Sequence, residues 1–192
     1  MRNILFVNAC VRQNSRTYTL TQKVLEKLDG EITKVCLCRE NLVPLCQKQL
    51  EERNTQLAAQ NFSAPLFQYA RQFAAADEIV IAAPYWDLAF PSLLRIYFEY
   101  VTVTGITFRY TEAGIPVGLC KAKRIIYVTT AGGPIGDRNL GYDYVKALAE
   151  TFYGIPKIQC FKAENLDIQG ADVHRILREA MREIENSSFF AE

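Results

Sequence analysis

Glu78-Ile79-Val80-Ile81-Ala82-Ala83-Pro84, running on into Tyr85-Trp86-Asp87-Leu88-Ala89-Phe90-Pro91, decides how this chain folds. Residues 79 to 83 are apolar without a break, as in a strand covered on both faces of a parallel sheet. Four further β-branched runs flank it: Asn3 to Asn8, Ile32 to Cys38, Arg124 to Thr130 and Lys157 to Ala163. Helical patterns fill the gaps. Leu20, Val24 and Leu28 are four apart, and Gly30 is placed to end that helix. Pro91 opens another, with Leu94, Phe98 and Val101 on its apolar face. Tyr144, Leu148 and Phe152 mark a third, closed by Gly154 and Pro156. Val173, Ile176, Leu177, Ala180 and Ile184 mark the last, and the polar stretch from Arg39 to Asn61 is expected to be helical from about Gln47 onward. Alternating β and α elements predict one domain over residues 1–192. Its core is a doubly wound, five-stranded parallel sheet of order 2-1-3-4-5, with helices on both faces.

Bulk properties narrow the classes of function. The 192 residues suffice for one sizeable core. A net charge of +1 offers no basic surface for nucleic acid or an anionic membrane, so a small-molecule partner fits better. The N-terminus enters a strand directly, without a secretion signal, and no apolar run nears the ~20 residues of a membrane helix. A cytoplasmic location is expected. The six cysteines match neither paired zinc ligation nor an iron–sulfur run, so no metal is expected and they read as reduced thiols.

In the order 2-1-3-4-5, ligands bind beyond the carboxyl ends of the strands, where the loops after strands one, three and four converge. The first loop, Ala9-Cys10-Val11-Arg12-Gln13-Asn14-Ser15-Arg16-Thr17, opens a helix. It lacks a dinucleotide or P-loop glycine pattern, yet brings hydroxyls, two arginines and free helix-start N–H groups, the parts of a phosphate site. Ser15 reads equally as a plain N-cap. The loop after strand three carries Tyr85 beside the chain's one tryptophan, Trp86. It can offer aromatic surface and backbone donors to a flat heteroaromatic ring, or Trp86 can simply pack on a helix. The loop after strand four, Thr129-Thr130-Ala131-Gly132-Gly133-Pro134, lets the backbone approach a ligand, or makes a tight turn. Each loop alone is ambiguous; three at one sheet edge are less so.

Ala82-Ala83-Pro84-Tyr85-Trp86-Asp87, with Pro91 to Tyr110 reading PSLLRIYFEYVTVTGITFRY, resembles the FMN-dependent NADH:azoreductases of the NAD(P)H:quinone oxidoreductase group, which are flavodoxin-like proteins. Gly105 to Glu112 is the most specific part, and looser similarity runs from the first strand to about Ala163. The resemblance implies FMN as cofactor and NADH or NADPH as donor. It also implies ping-pong two-electron reduction of a quinone, azo or nitro compound, and a homodimer with FMN at the subunit interface. Ser15, Arg16 and Thr17 align with the family's phosphate loop, and Cys10 stands where serine is common. Pro84, Tyr85, Trp86, Asp87 and Leu88 align with the segment along the isoalloxazine ring. Thr130, Ala131, Gly132 and Gly133 align with the loop at its pyrimidine end. Tyr110, Phe152 and Tyr153 align with aromatics lining the substrate pocket. Asp87 replaces the usual asparagine, and Ala131 a polar or basic residue.

His174, the single histidine, lies on the last helix and reads as a surface residue, so no Ser-His-Asp or Cys-His arrangement can be assembled. No catalytic side chain is assigned, because a flavin would carry the chemistry. The competing readings are an electron carrier of the flavodoxin type, against which the near-neutral charge speaks, and a flavin-free interaction module. Leu93 and Tyr97 add a second apolar stripe to the Pro91–Val101 helix, a surface expected to face a partner subunit, or else the mark of a more deeply buried helix in a monomer.

Overall fold

A computed structural model describes residues 1–191. Its central sheet has five parallel strands in the order β2-β1-β3-β6-β7. These are β1 (Asn3–Asn8), β2 (Glu31–Cys36), β3 (Glu78–Ala82), β6 (Arg124–Thr130) and β7 (Lys157–Ala163). Setting aside the short antiparallel hairpin β4 (Phe108–Tyr110) and β5 (Pro116–Gly118), this is the order 2-1-3-4-5. The helices are α1 (Arg16–Leu25), α2 (Gln47–Ala58), α3 (Gln68–Ala75), α4 (Ser92–Val101), α5 (Leu140–Leu148) and α6 (Val173–Asn186).

The unbroken apolar runs are explained by the two covered faces. Alternate residues of β1, β3 and β6 point oppositely. Leu5, Val7, Ile79, Ile81, Ile125 and Tyr127 pack with Phe73 of α3, Leu94 and Phe98 of α4 and Val145 of α5. Ile4, Phe6, Val80, Ile126 and Val128 pack with Leu20 and Val24 of α1 and Ala180 and Ile184 of α6. Every residue of β3 and β6 is buried.

Several local expectations change. The first helix ends at Leu25, five residues before Gly30, its expected stop. Gly30 caps nothing: a Cβ there would come within 2.5 Å of the Arg2 carbonyl oxygen, so glycine is required by close approach to the backbone leading into β1. Pro91 is the N-cap of α4, one residue ahead of the helix. Tyr97 turns inward and is fully buried, leaving Leu93, Ile96 and Tyr100 as the half-buried apolar residues of that helix. The helix after β6 ends in a π-turn at Ala149–Tyr153, closed by Gly154 at φ +68° as glycine permits. Helix α3 and the hairpin were not expected.

Candidate functional site

The loops after β1, β3 and β6 converge at the carboxyl edge of the sheet and enclose a cleft of about 330 Å³. It is lined by Arg12, Ser15, Arg16 and Thr17 at one end and by Pro84, Tyr85, Trp86, Thr130, Ala131 and Gly132 at the other. The loop after β7 contributes Leu166 and Asp167.

The first end is built by the entry to α1. Asn8 Oδ1 accepts from the Cys10 backbone N–H at 3.0 Å, turning the chain out of β1. Ser15 caps α1 by accepting from Tyr18 N at 3.2 Å, which leaves its hydroxyl proton for a further acceptor. The cap and the phosphate site are therefore compatible roles for one residue. Thr17 Oγ1 and Thr130 Oγ1 share a buried hydrogen bond of 2.7 Å that fixes α1 to β6 beneath the cleft. Arg16 Nη1 donates to Asp167 Oδ1 at 2.6 Å and to Leu166 O at 3.3 Å.

Trp86 to Ala89 form a two-residue hairpin turn, with Ala89 N donating to Trp86 O at 2.8 Å. Its central residues, Asp87 and Leu88, have φ of +49° and +68°, the signature of a type I′ turn. Aspartate and asparagine tolerate this left-handed conformation, whereas a leucine there is strained. The turn is over-determined by its surroundings, as strained sites must be. Tyr85 N donates to Thr130 O at 3.0 Å, Tyr85 Oη to Arg138 O at 2.9 Å, and Leu140 N to Leu88 O at 3.1 Å. Trp86 stays 40% exposed on the cleft wall instead of packing into a helix.

The glycine loop is held from behind. The carbonyls of Ala131, Gly132 and Gly133 accept from Leu166 N, Asp167 N and Asn165 N at 3.1, 2.8 and 3.2 Å. Glu164 accepts from Ile135 N at 3.0 Å. With those carbonyls taken, the N–H groups of Gly132 and Gly133 have no acceptor among the described residues. Unclaimed amide donors at one end, with hydroxyls and two arginines at a helix start at the other, fit a ligand carrying a phosphate and a hydrogen-accepting ring edge. FMN is such a ligand, so the donor set suits the group that the sequence resemblance implies.

Not every expected residue reaches the cleft. The Cys10 thiol is buried, facing Ala82 O at 3.9 Å, and burial pushes it up to about 11, so it is an interior group instead of a cofactor contact. Tyr153 is wholly buried, its hydroxyl 2.7 Å from Thr102 Oγ1 and its ring against Phe73, which leaves no face for a substrate. Asp87, Leu88 and Gly133 are not among the lining residues. Tyr110 and Phe152 form an aromatic set with Phe108, ring centres 5.3 and 4.8 Å apart, away from the cleft of the same chain. Asp167 was missed. The strand order could have flagged it, since the fifth strand pairs with the fourth and their loops must be neighbours.

Among the described residues no helix is long and apolar enough to cross a membrane. His174 is exposed on α6.

A protein-family model described as flavodoxin-like fold matches residues 2–187. An FMN-dependent NADH:quinone oxidoreductase of Lachnoclostridium phytofermentans is 36% identical, covering 93% of this chain and 94% of its own. One of Coprothermobacter proteolyticus is 34% identical, covering 96% and 97%. An FMN-dependent NADH-azoreductase from Bacillus anthracis, solved in complex with FMN, superposes with a TM-score of 0.81 at 23% identity over 96% of each chain, a likeness of fold. Similarity of this strength along nearly the whole length places the chain in the flavodoxin-like fold family, among the relatives of the FMN-dependent NADH:quinone oxidoreductases.

Proposed function

We propose that this protein is an FMN-dependent NAD(P)H oxidoreductase that reduces a quinone, azo or nitro compound. The observation that carries the reading is one cleft with cationic hydroxyl-bearing donors at its α1 end and the unclaimed Gly132 amide at its β6 end, with Tyr85 and Trp86 also on its wall. FMN supplies two-electron chemistry through its ring when bound. Ser15 and Arg16 bind its phosphate through hydroxyl and charge-assisted hydrogen bonds, with Arg12 adding positive charge, while Thr17, its hydroxyl held by Thr130, contributes its backbone N–H at the helix start. The Trp86–Ala89 turn positions the ring, and its backbone is kept still by Thr130, Arg138 and Leu140. Gly132 and Gly133 aim main-chain donors at the pyrimidine edge, where negative charge gathers on reduction.

The proposed assembly is a homodimer, supported by an exposed apolar set on the hairpin side: Tyr110, Ile115, Val117 and Leu119. Tyr110 and Phe152 would then serve a cleft across the interface. The proposed location is cytoplasmic, a compartment that suits six free thiols.

The test is the visible spectrum of the protein titrated with FMN, followed anaerobically by NADH or NADPH and then a quinone. Flavin bands that bleach with the nicotinamide and return with the quinone are expected. Protein that leaves FMN free in solution overturns the reading. Bound flavin that ignores both nicotinamides replaces it with an electron carrier.

A further inference from the structure

The cleft contains one acidic wall residue, and its position is peculiar. Asp167 meets Arg16 of α1 on one side and Gly132 of the loop after β6 on the other. Its backbone is fixed by the hydrogen bond from its N–H to Gly132 O at 2.8 Å, with Leu166 N and Asn165 N bonded to Ala131 O and Gly133 O on either side. Oδ1 accepts from Arg16 Nη1 at 2.6 Å. Oδ2 lies against Gly132, in the space a Cβ on that residue would need, and takes no hydrogen bond from the described residues.

Stability does not account for this arrangement. The paired side chains are 41% and 65% exposed, and ion pairs so open to solvent contribute little. Phosphate binding does not account for it either, because a carboxylate beside Arg16 removes positive charge that a dianion would use. What a carboxylate offers is acceptor capacity alone. A ligand spanning this cleft with a hydroxyl between its phosphate and its ring would give Oδ2 the donor it lacks. In FMN such hydroxyls are those of the ribityl chain.

We infer that Asp167 is a positioning residue for the ribityl chain: Oδ2 accepts from a ribityl hydroxyl while Arg16 holds Oδ1 and fixes the carboxylate's orientation. This rests on the flavin reading above. Arg16 then joins both subsites, donating to the phosphate and to the carboxylate with a fork of five N–H groups.

Three flavins separate the contributions. FMN has ring, ribityl chain and phosphate; riboflavin lacks the phosphate; lumiflavin lacks both phosphate and ribityl chain. Dissociation constants are measured by quenching of flavin fluorescence on wild-type protein, Asp167→Ala and Arg16→Met. Asp167→Ala is expected to weaken FMN and riboflavin alike, roughly ten- to a hundredfold for one charge-assisted bond, with lumiflavin unchanged. Arg16→Met is expected to weaken FMN more than riboflavin, and riboflavin more than lumiflavin. Lumiflavin weakening in parallel would reduce Asp167 to a brace for the glycine loop and overturn the inference. Tighter FMN with unaltered riboflavin would mean that Asp167 merely opposes the phosphate, and three unchanged constants would mean that it touches nothing; either overturns the inference too. Wild-type protein that binds no FMN overturns the flavin reading itself, before any variant is made. The Asp167 side chain is exposed and its loop is held by main-chain bonds, so the variant keeps its fold, checked by far-UV circular dichroism.

Discussion

Gly141→Ala puts the coupling between α5 and the aromatic turn to a direct test. Gly141 is the second residue of α5, where a Cβ would stand 2.8 Å from Tyr127 Oη and 3.0 Å from the carbonyl carbon and oxygen of Ala89. Neither neighbour can step aside cheaply. Tyr127 is fully buried in the sheet, and Ala89 belongs to the turn closed by its N–H to Trp86 O and tied to α5 through Leu140 N and Leu88 O. Overpacking of this kind costs about 1–3 kcal/mol. Alanine's helical advantage over glycine returns at most about 1 kcal/mol, and less in a first turn. The net expectation is a loss of about 1–2 kcal/mol, or roughly 2–8 °C in Tm for a chain of this size. The displaced atoms belong to the turn that holds Trp86, so FMN affinity should fall as well. Gly133→Ala is the control: nothing lies within 4 Å of its Cβ and its backbone is not left-handed. Its stability should be unchanged or up to about 1 kcal/mol higher, through a stiffer unfolded chain. Thermal melts and urea titrations of both apoproteins decide the matter. If Gly141→Ala melts with the wild type, or the two variants lose equal stability, the argument from steric contact is wrong.

Thr107 is fully buried, donating to Val101 O at 2.9 Å and accepting from Val103 N at 3.0 Å. Thr107→Val keeps the shape and strands both partners, so urea unfolding should show a loss of about 2–3 kcal/mol. Burial pushes Cys10 up to about 11 and Cys120 and Cys160 up to about 12, whereas Cys38 and Cys46 are exposed. At pH 8 an aromatic disulfide reagent should therefore label Cys38 and Cys46 quickly, the partly exposed Cys120 and Cys160 slowly, and the buried Cys10 only after unfolding, as read by peptide mass spectrometry. Asp77 is held below its ordinary value of 3.8 by Lys121 Nζ, 2.7 Å away, and by the Asn3 N–H. A depressed carboxylate stabilises fully above its unfolded value and loses that contribution as pH falls through the folded one. Asp77→Asn should accordingly flatten the acid side of the stability profile below about pH 4 and lower stability at neutral pH, measured by urea titration across pH.

The five sheet strands were legible because burial on both faces leaves uninterrupted apolar runs, as in Ile79 to Ala83, and little else produces that pattern. Their order made the carboxyl edge legible as the site. The hairpin was not, since strands of three residues containing Pro116 and Gly118 carry no alternation to read. The Trp86–Ala89 turn escaped notice for a different reason: type I′ turns are signalled by Asn-Gly or Asp-Gly, and Asp-Leu is stabilised here only by tertiary contacts. Asp167 sits in a loop with no motif, and only its neighbours in space give it meaning. Gly30 and Tyr97 were misassigned because sequence shows that a glycine or an aromatic is present, but not what approaches it.

Helix α2 has no fully buried residue. It is fastened by Arg53, whose guanidinium donates to Glu99 O at 3.1 Å and Thr102 O at 2.7 Å, and by Leu57 packed against a small cluster around Phe67 and Val103. Few contacts mean a low free energy of detachment, so the amides of α2 should exchange with deuterium through an opening of their own while β1, β3 and β6 exchange only with global unfolding. The carbonyls that Arg53 satisfies close the end of α4, so each such opening also uncaps α4 and lets its last turn fray.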